Sequence, residues 1–321
     1  MLIETDDQEA PPGATVEMLE RPGKVALRYA IWPARGEENL GTVCLFGGRT
    51  EFIEKYYEVI AELQDRGFAV ATMDWRGQGL SSRHTGNRLK GHIRSYQHYV
   101  DDLDAFMREI VMPECPPPYY ALAHSMGGHI LLRYGRTGAN PFDRMVLLSP
   151  MIAIHPALGP GGVSSGLVHM LTLCGLGRMP VGRLRPKEQF DGNLLTSDAP
   201  RYAAFTTLQE VEPDLRITAP TFSWLRATLR SIGAMARSSF AKGVTVPALI
   251  IIGSLDKVVS VDAAEDMGTR LRAGRTLVIP GARHELLMEK DAIRDLVWAA
   301  FDAFIPARDG TETRTIERLS L

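Results

Sequence analysis

Cysteine is scarce in this chain. Cys44, Cys115 and Cys174 are spread over 321 residues, odd in number and without a CxxC pair. That usage argues against a disulfide framework or a cysteine zinc site and suits a reducing compartment. Long apolar runs are also missing: no stretch approaches the roughly 18–20 residues that span a bilayer. The opening segment, Met1 to Gly13, is acidic and has no apolar run, which reads against a secretory leader. Charge of one sign is lacking too. The 36 Lys+Arg and 38 Asp+Glu leave a formal charge of −2, so no global field favours nucleic acid. No histidine pair shows metal-ligand spacing with supporting ligands, and neither a metal nor a cofactor is expected. The location these absences imply is cytoplasmic. They leave peripheral membrane contact open and say nothing of oligomeric state.

Hydrophobic residues make up 45% of the chain, enough for a core of useful size. Short apolar runs alternate with segments of helical periodicity, the pattern of strands crossing over through helices. Strands are predicted at Thr42–Phe46, Phe68–Met73, Tyr119–Ala123, Arg144–Leu148, Ala248–Ile252 and Thr276–Ile279. Helices are predicted at Glu54–Arg66, Tyr96–Val111, Met126–Tyr134, about Ala263–Leu271 and Asp291–Phe304. The alternation breaks between about Met151 and Ser239, where Gly and Pro cluster and helical pieces are expected at Gly166–Leu173 and Trp224–Ser238. The fold class is therefore α/β: a mostly parallel sheet flanked by helices, with a core of residues 1–151 and 240–305. A helical insertion occupies 152–239, and 306–321 forms a polar tail.

The decisive string is Tyr119-Tyr120-Ala121-Leu122-Ala123-His124-Ser125-Met126-Gly127-Gly128. An apolar strand runs into a serine and a helix follows. Small residues, Ala123 and Gly127, stand two positions to either side, where the backbones of a tight strand-to-helix turn crowd together. Such a turn holds the serine Oγ clear of the sheet and aims a helix N-terminus at it. The usual pattern is G-x-S-x-G, and Ala123 departs from it. On the pentapeptide alone, Ser125 also reads as an ordinary helix N-cap.

Two further residues tip the balance. Asp256 follows the apolar run Ala248–Ile252, and His284 follows Thr276–Ile279, each just past a strand's C-terminal end, where open α/β sheets place their sites. The order Ser, Asp, His is the one this fold uses. A serine hydroxyl is a poor nucleophile until an imidazole takes its proton, and a carboxylate fixes the tautomer of that imidazole. Ser125, His284 and Asp256 are thus the predicted nucleophile, base and acid. Asp262 fits a helix start instead, and Glu285 and Glu289 follow His284 too closely to reach behind it. The oxyanion donors are expected to be the backbone N–H groups of Met126 and of Arg49, the latter after Phe46-Gly47-Gly48. Asp74-Trp75-Arg76-Gly77-Gln78-Gly79 lacks the third glycine of a dinucleotide fingerprint and reads as a structural loop beside the site. His124 and His129 read as packing or hydrogen-bonding residues.

Together these strings resemble the lysophospholipase and monoacylglycerol lipase branch of the α/β-hydrolases, which includes serine aminopeptidase-like enzymes. The matching pieces are Gly47-Gly48-Arg49, Asp74-Trp75-Arg76-Gly77-Gln78-Gly79-Leu80-Ser81, His124-Ser125-Met126-Gly127-Gly128, Gly253-Ser254-Leu255-Asp256 and His284-Glu285-Leu286-Leu287. The wording of Arg49-Thr50-Glu51 and Arg76-Gly77-Gln78-Gly79 is similar to bacterial lysophospholipases. Family members often carry His-Gly before the oxyanion residue, where this chain has Gly47-Gly48.

The resemblance implies that 152–239 is a cap over an acyl pocket. Leu167, Met170 and Leu171 are then substrate-binding candidates beside Val168, Leu173 and Leu176, or they pack the cap onto the core. The segment Met151–Ser239 holds 9 Lys/Arg against 6 Asp/Glu, with Arg178, Arg183, Arg185 and Lys187 clustered, which suits an anionic head group or a solvated face. The implied activity is hydrolysis of a lipid-like monoacyl ester. Amide cleavage, with Glu188, Glu210 or Glu212 holding a substrate amine, and a non-catalytic receptor are the alternatives.

Overall fold

The computed structural model describes residues 1–36, 39–138, 140–155, 165–182 and 189–306. Eight strands form one sheet: β1 (Thr15–Arg21), β2 (Val25–Trp32), β3 (Thr42–Phe46), β4 (Ala69–Met73), β5 (Tyr119–His124), β6 (Phe142–Leu148), β7 (Ala248–Gly253) and β8 (Gly274–Ile279). Their order across the sheet is β1-β2-β4-β3-β5-β6-β7-β8. The hairpin β1–β2 and the β2–β4 pair are antiparallel, and the other pairs are parallel.

The central strands carry unbroken apolar runs because both sheet faces are covered. Along β3, Cys44 and Phe46 enter the core on one face while Val43 and Leu45 enter the core on the other. The helices are α1 (Tyr57–Asp65), α2 (Gln97–Phe106), α3 (Met126–Tyr134), α4 (Ser165–Leu173), α5 (Ala199–Val211), α6 (Phe222–Met235), α7 (Val261–Arg270) and α8 (Asp291–Phe304); α1, α2, α3, α7 and α8 contribute to the two cores on the sheet. The helix predicted for Tyr96–Val111 ends its regular part at Phe106 and continues as a π-turn over Met107–Val111.

Three elements differ from the sequence expectation. The hairpin β1–β2 had no assigned strands; its turn, Pro22-Gly23-Lys24, places both Gly23 and Lys24 at positive φ. Helix α5 starts at Asp198, whose side chain accepts from the Arg201 N–H, with Pro200 in the first turn. A two-residue bridge joins Lys90–Gly91 to Ala219–Pro220, tying the loop after β4 to the start of α6. Among the described residues no helix is long and apolar enough to cross a membrane.

Candidate active site

Strand β5 delivers Ser125 to the C-terminal edge of the sheet, and α3 starts at the next residue. Ser125 sits at φ 49°, ψ −109°, a conformation non-glycine residues rarely adopt. The turn is held on both sides. Ser125 N–H donates to the Leu148 carbonyl at 2.9 Å, and its carbonyl accepts from Met151 at 3.0 Å and His129 at 3.1 Å. Gly127 has no substitute here: a Cβ would lie 2.5 Å from the Phe46 carbonyl oxygen and 2.7 Å from that of Gly47. Ala123 is fully buried within β5, so its methyl is accommodated.

The loop after β8 brings His284 over this turn, and the loop after β7 brings Asp256 behind it. His284 Nδ1 lies 2.7 Å from Asp256 Oδ2, and His284 Nε2 lies 3.1 Å from Ser125 Oγ. A carboxylate can only accept, so Nδ1 carries the proton and Nε2 turns its lone pair to the serine. Asp256 Oδ1 accepts from the N–H groups of Val258 at 2.8 Å and Val259 at 3.0 Å. Burial raises the Asp256 pKa, but the hydrogen bond and charge of His284 and these two N–H groups outweigh it and hold the group below the ordinary carboxylate value. All three side chains are buried. Asp262 lies in the first turn of α7, Glu285 bonds Lys55, and Glu289 bonds Ser197 and the Arg283 N–H.

Met126 opens α3 beside the serine, and Arg49 follows β3 at the same edge. The peptides leading to Arg49 are clamped. Trp75 Nε1 donates to the Gly47 carbonyl at 2.9 Å, and Gln78 Nε2 donates to the Gly48 carbonyl at 3.1 Å. Fixing the Gly48 carbonyl towards Gln78 turns the Arg49 N–H, on the same trans peptide, the other way. Gln78 Oε1 also accepts from the Thr50 N–H at 2.8 Å. The Asp74–Gly79 loop is itself fixed by Asp74, whose carboxylate accepts from Arg28, the Ile53 N–H and the Leu80 N–H.

Beneath the turn lies a cluster of buried charges that spacing did not reveal. His124 Nδ1 donates to Glu51 Oε1 at 2.8 Å and Nε2 donates to the His284 carbonyl at 3.1 Å. Both partners are acceptors only, so the ring is an imidazolium. Burial would lower the His124 pKa; Glu51 outweighs it and the value is raised. Lys55 Nζ bridges Glu51 at 2.9 Å and Glu285 at 2.7 Å, and Glu51 also binds the Gly48 N–H and the Tyr56 hydroxyl. Burial acts against both ions of the Glu51–Lys55 pair, yet Glu51 is held well below the usual range by His124 and Lys55, and Lys55 is raised by Glu285 and Glu51. The cluster thus ties the Gly47–Arg49 loop to the His284 backbone. His129, by contrast, bonds the Met151 carbonyl at 2.7 Å and Ser231 at 2.6 Å, and burial pushes it down to about 3.

The apolar candidates on α4 differ in exposure. Leu167 and Met170 are 39% and 52% exposed, and Leu171 is half-buried, whereas Val168 faces inward. Residues 183, 185, 187 and 188 of the basic cluster and its neighbour lie outside the described residues.

Residues 37–291 match the family described as serine aminopeptidase, S33. The chain belongs to this family. It is 30% identical over 291 residues to lysophospholipase L2 of Escherichia coli, covering 87% of this chain and 84% of that protein. To monoacylglycerol lipase of Mycolicibacterium smegmatis it is 26% identical over 276 residues, 84% of this chain and 89% of that protein. Among solved structures, monoglyceride lipase of Saccharomyces cerevisiae superposes with a TM-score of 0.73 at 19% identity, over 92% of this chain and 96% of that one. A carboxyl esterase of Bacillus coagulans gives 0.74 at 21% identity, over 92% and 98%. The family member described here is an α/β-hydrolase of the serine type, and an ester-hydrolysing one.

Proposed function

We propose that this chain cleaves the ester of a lipid-like monoacyl substrate, a lysophospholipid or a monoacylglycerol, through an acyl-enzyme on Ser125. The observation that carries this reading is the continuous hydrogen-bond chain Asp256–His284–Ser125 at a strained turn. His284 Nε2 takes the hydroxyl proton as Oγ attacks the carbonyl carbon. The tetrahedral oxyanion falls to the N–H groups of Met126 and Arg49. Collapse expels the alkoxide, which receives the same proton from His284. Water, deprotonated by the same imidazole, then releases the fatty acid and restores the serine. Asp256 holds the tautomer and stabilises the imidazolium throughout.

Residues 152–239 act as a cap on a core of 1–151 and 240–305. Three contacts support that division: the Glu285 N–H bonds the Leu195 carbonyl at 2.8 Å, Phe205 stacks on Phe52 at 5.5 Å, and the Arg49 guanidinium lies 5.2 Å over Trp224. Leu167, Met170, Leu173 and Leu176 expose an apolar edge along this segment, which suits contact with a lipid surface.

Turnover of a panel of esters tests the reading. Lysophospholipids and monoacylglycerols should be hydrolysed with kcat/KM well above an aminoacyl-naphthylamide, and Ser125→Ala should abolish all of it. Preference for the amide, or undiminished ester turnover by Ser125→Ala, refutes it.

A further inference from the structure

A cleft edged by arginines and histidines, none of its lining residues a member of the triad, lies between the segment 84–98, the end of α4 and the start of α6. One part of it, about 300 Å³, is lined by His92, Arg94, Arg178, Ser223 and Arg226 among others. The adjoining part, about 240 Å³, shares His92, Arg94 and Arg178 and adds Arg76, His84 and His98. No carboxylate lines either part among the described residues. Arg76 is neutralised by a two-pronged pair with Asp102. The others are not: Arg226 donates to the neutral partner His169 at 2.9 Å, and Arg94 and Arg178 have no ion-pair partner among the described residues.

The floor is built rather than casual. His92 is 6% exposed, and its Nδ1 lies 3.0 Å from the hydroxyl of Thr221, the residue that caps α6 by accepting from the Trp224 N–H. Buried Ser223, in the first turn of α6, is held by the Ile93 carbonyl at 2.9 Å. A fourteen-residue helix therefore turns the positive end of its dipole towards the arginines. Burial, with the charges of Arg178, His84 and Arg94, pushes His92 down to about 4, and burial with Arg76 lowers His84 and His98.

We propose that this cleft binds the phosphate of a phosphate ester, held by Arg94, Arg178 and Arg226 over His92. Guanidinium groups match phosphate oxygens in a planar fork, and a recess lined by several guanidiniums and no carboxylate among the described residues selects an oxyanion over a neutral head group. Trp224, the neighbour of Ser223 in the cleft lining, lies under the Arg49 guanidinium. A lipid head group and a free phosphate compound both carry such a phosphate, and the site recognises the chemistry they share. The inference concerns binding alone and stands apart from any chemistry at Ser125.

The test uses full-length Ser125→Ala protein, which turns nothing over, titrated calorimetrically at low ionic strength with glycerophosphocholine, glycerol 3-phosphate and inorganic phosphate. Saturable 1:1 binding is expected, weakened at least tenfold in Arg94→Gln/Arg178→Gln and unchanged in Arg272→Gln/Arg275→Gln, which removes two exposed charges on the far strand edge. Tighter binding of the glycerol esters identifies a head group as the source; tighter binding of inorganic phosphate identifies a free compound. Both support the site. No binding of any of the three, or equal affinity in the Arg94/Arg178 variant, overturns it. Because Arg94 and Arg178 are exposed, circular dichroism should show both double variants folded.

Discussion

The floor of the site and the segment above it solve different problems with different materials. Below Ser125, every loop that matters is bolted to another by buried charge: Glu51 to His124, Lys55 and the Gly48 N–H, Lys55 to Glu285, and Asp74 to Arg28 and two backbone N–H groups. Above it, α4 and the turn after it present Leu167, Met170, Leu173 and Leu176 to solvent, and among the described residues no carboxylate lines the cleft of Arg178 and Arg226 beside them. Catalysis needs donors fixed before charge develops, and fixed charges in a dry interior provide that. Recognition of a flexible amphiphile needs exposed apolar and cationic surface, which contributes little to stability. Substitutions in the floor should therefore damage rate or folding, and those in the upper segment should change what is bound.

Ser125→Ala has the largest expected effect, a loss of about 10⁴–10⁶ in kcat with an unchanged circular dichroism spectrum. Asp256→Asn follows, at about 10⁴ in kcat, because an amide can present its NH2 to His284 Nδ1 and stabilise the wrong tautomer. Both are read by steady-state esterase kinetics. Lys55→Met leaves Glu285 buried without its cation and Glu51 with His124 alone, and should cost about 3–5 kcal/mol in urea unfolding. A loss under 1 kcal/mol would show that the cluster is not the clamp described. Gln78→Ala frees the Gly48–Arg49 peptide and should lower kcat about 10- to 100-fold at nearly constant KM, less than the roughly 10²–10³ for outright loss of an oxyanion donor.

The floor should also carry a pH signature. The folded pKa of His124 lies above its ordinary 6.5, so the stability it contributes is complete below about pH 6.5 and is lost as pH rises through the folded value. Glu51, depressed below 4.5, contributes stability above that pH and loses it as pH falls through its folded value. The stability difference between wild type and His124→Gln should accordingly be greatest near pH 5–6 and shrink on the alkaline side; a flat difference up to pH 9 contradicts the imidazolium assignment. The smallest effect is expected for Met170→Ser/Leu173→Ser, within about 0.5 kcal/mol of wild type in unfolding, with weaker partitioning onto lipid vesicles as the measurable change.

Legibility in the sequence followed the same divide. Strand β3 and helices α3 and α8 were predicted with the bounds they have, because fully buried runs and 3.6-residue periodicity leave little choice. The β1–β2 hairpin was missed because most of β1 faces solvent and its Thr-Val-Glu-Met-Leu-Glu-Arg has no apolar run, although Pro22-Gly23 marked the turn. Helix α5 was missed despite the cap signal of Asp198 and Pro200. Ser125, Asp256 and His284 could be picked out as candidates because each follows a strand-like run in a fixed order, and the structure brings their side chains within hydrogen-bond distance. The Lys55–Glu285 pair could not: its partners lie 230 residues apart, and nothing local distinguishes them from surface charges. The outward turn of Leu167 and Met170 was equally hidden, since an apolar stretch does not declare which side of a helix is covered.

The most direct measurement is the site of acylation. Protein mixed with a slowly deacylating p-nitrophenyl ester should release a burst of one equivalent of p-nitrophenol and gain one acyl group, mapped by peptide mass spectrometry to the Ser125 hydroxyl. An acyl group found on any other residue, or a folded protein that turns the ester over without acquiring one, would contradict the account.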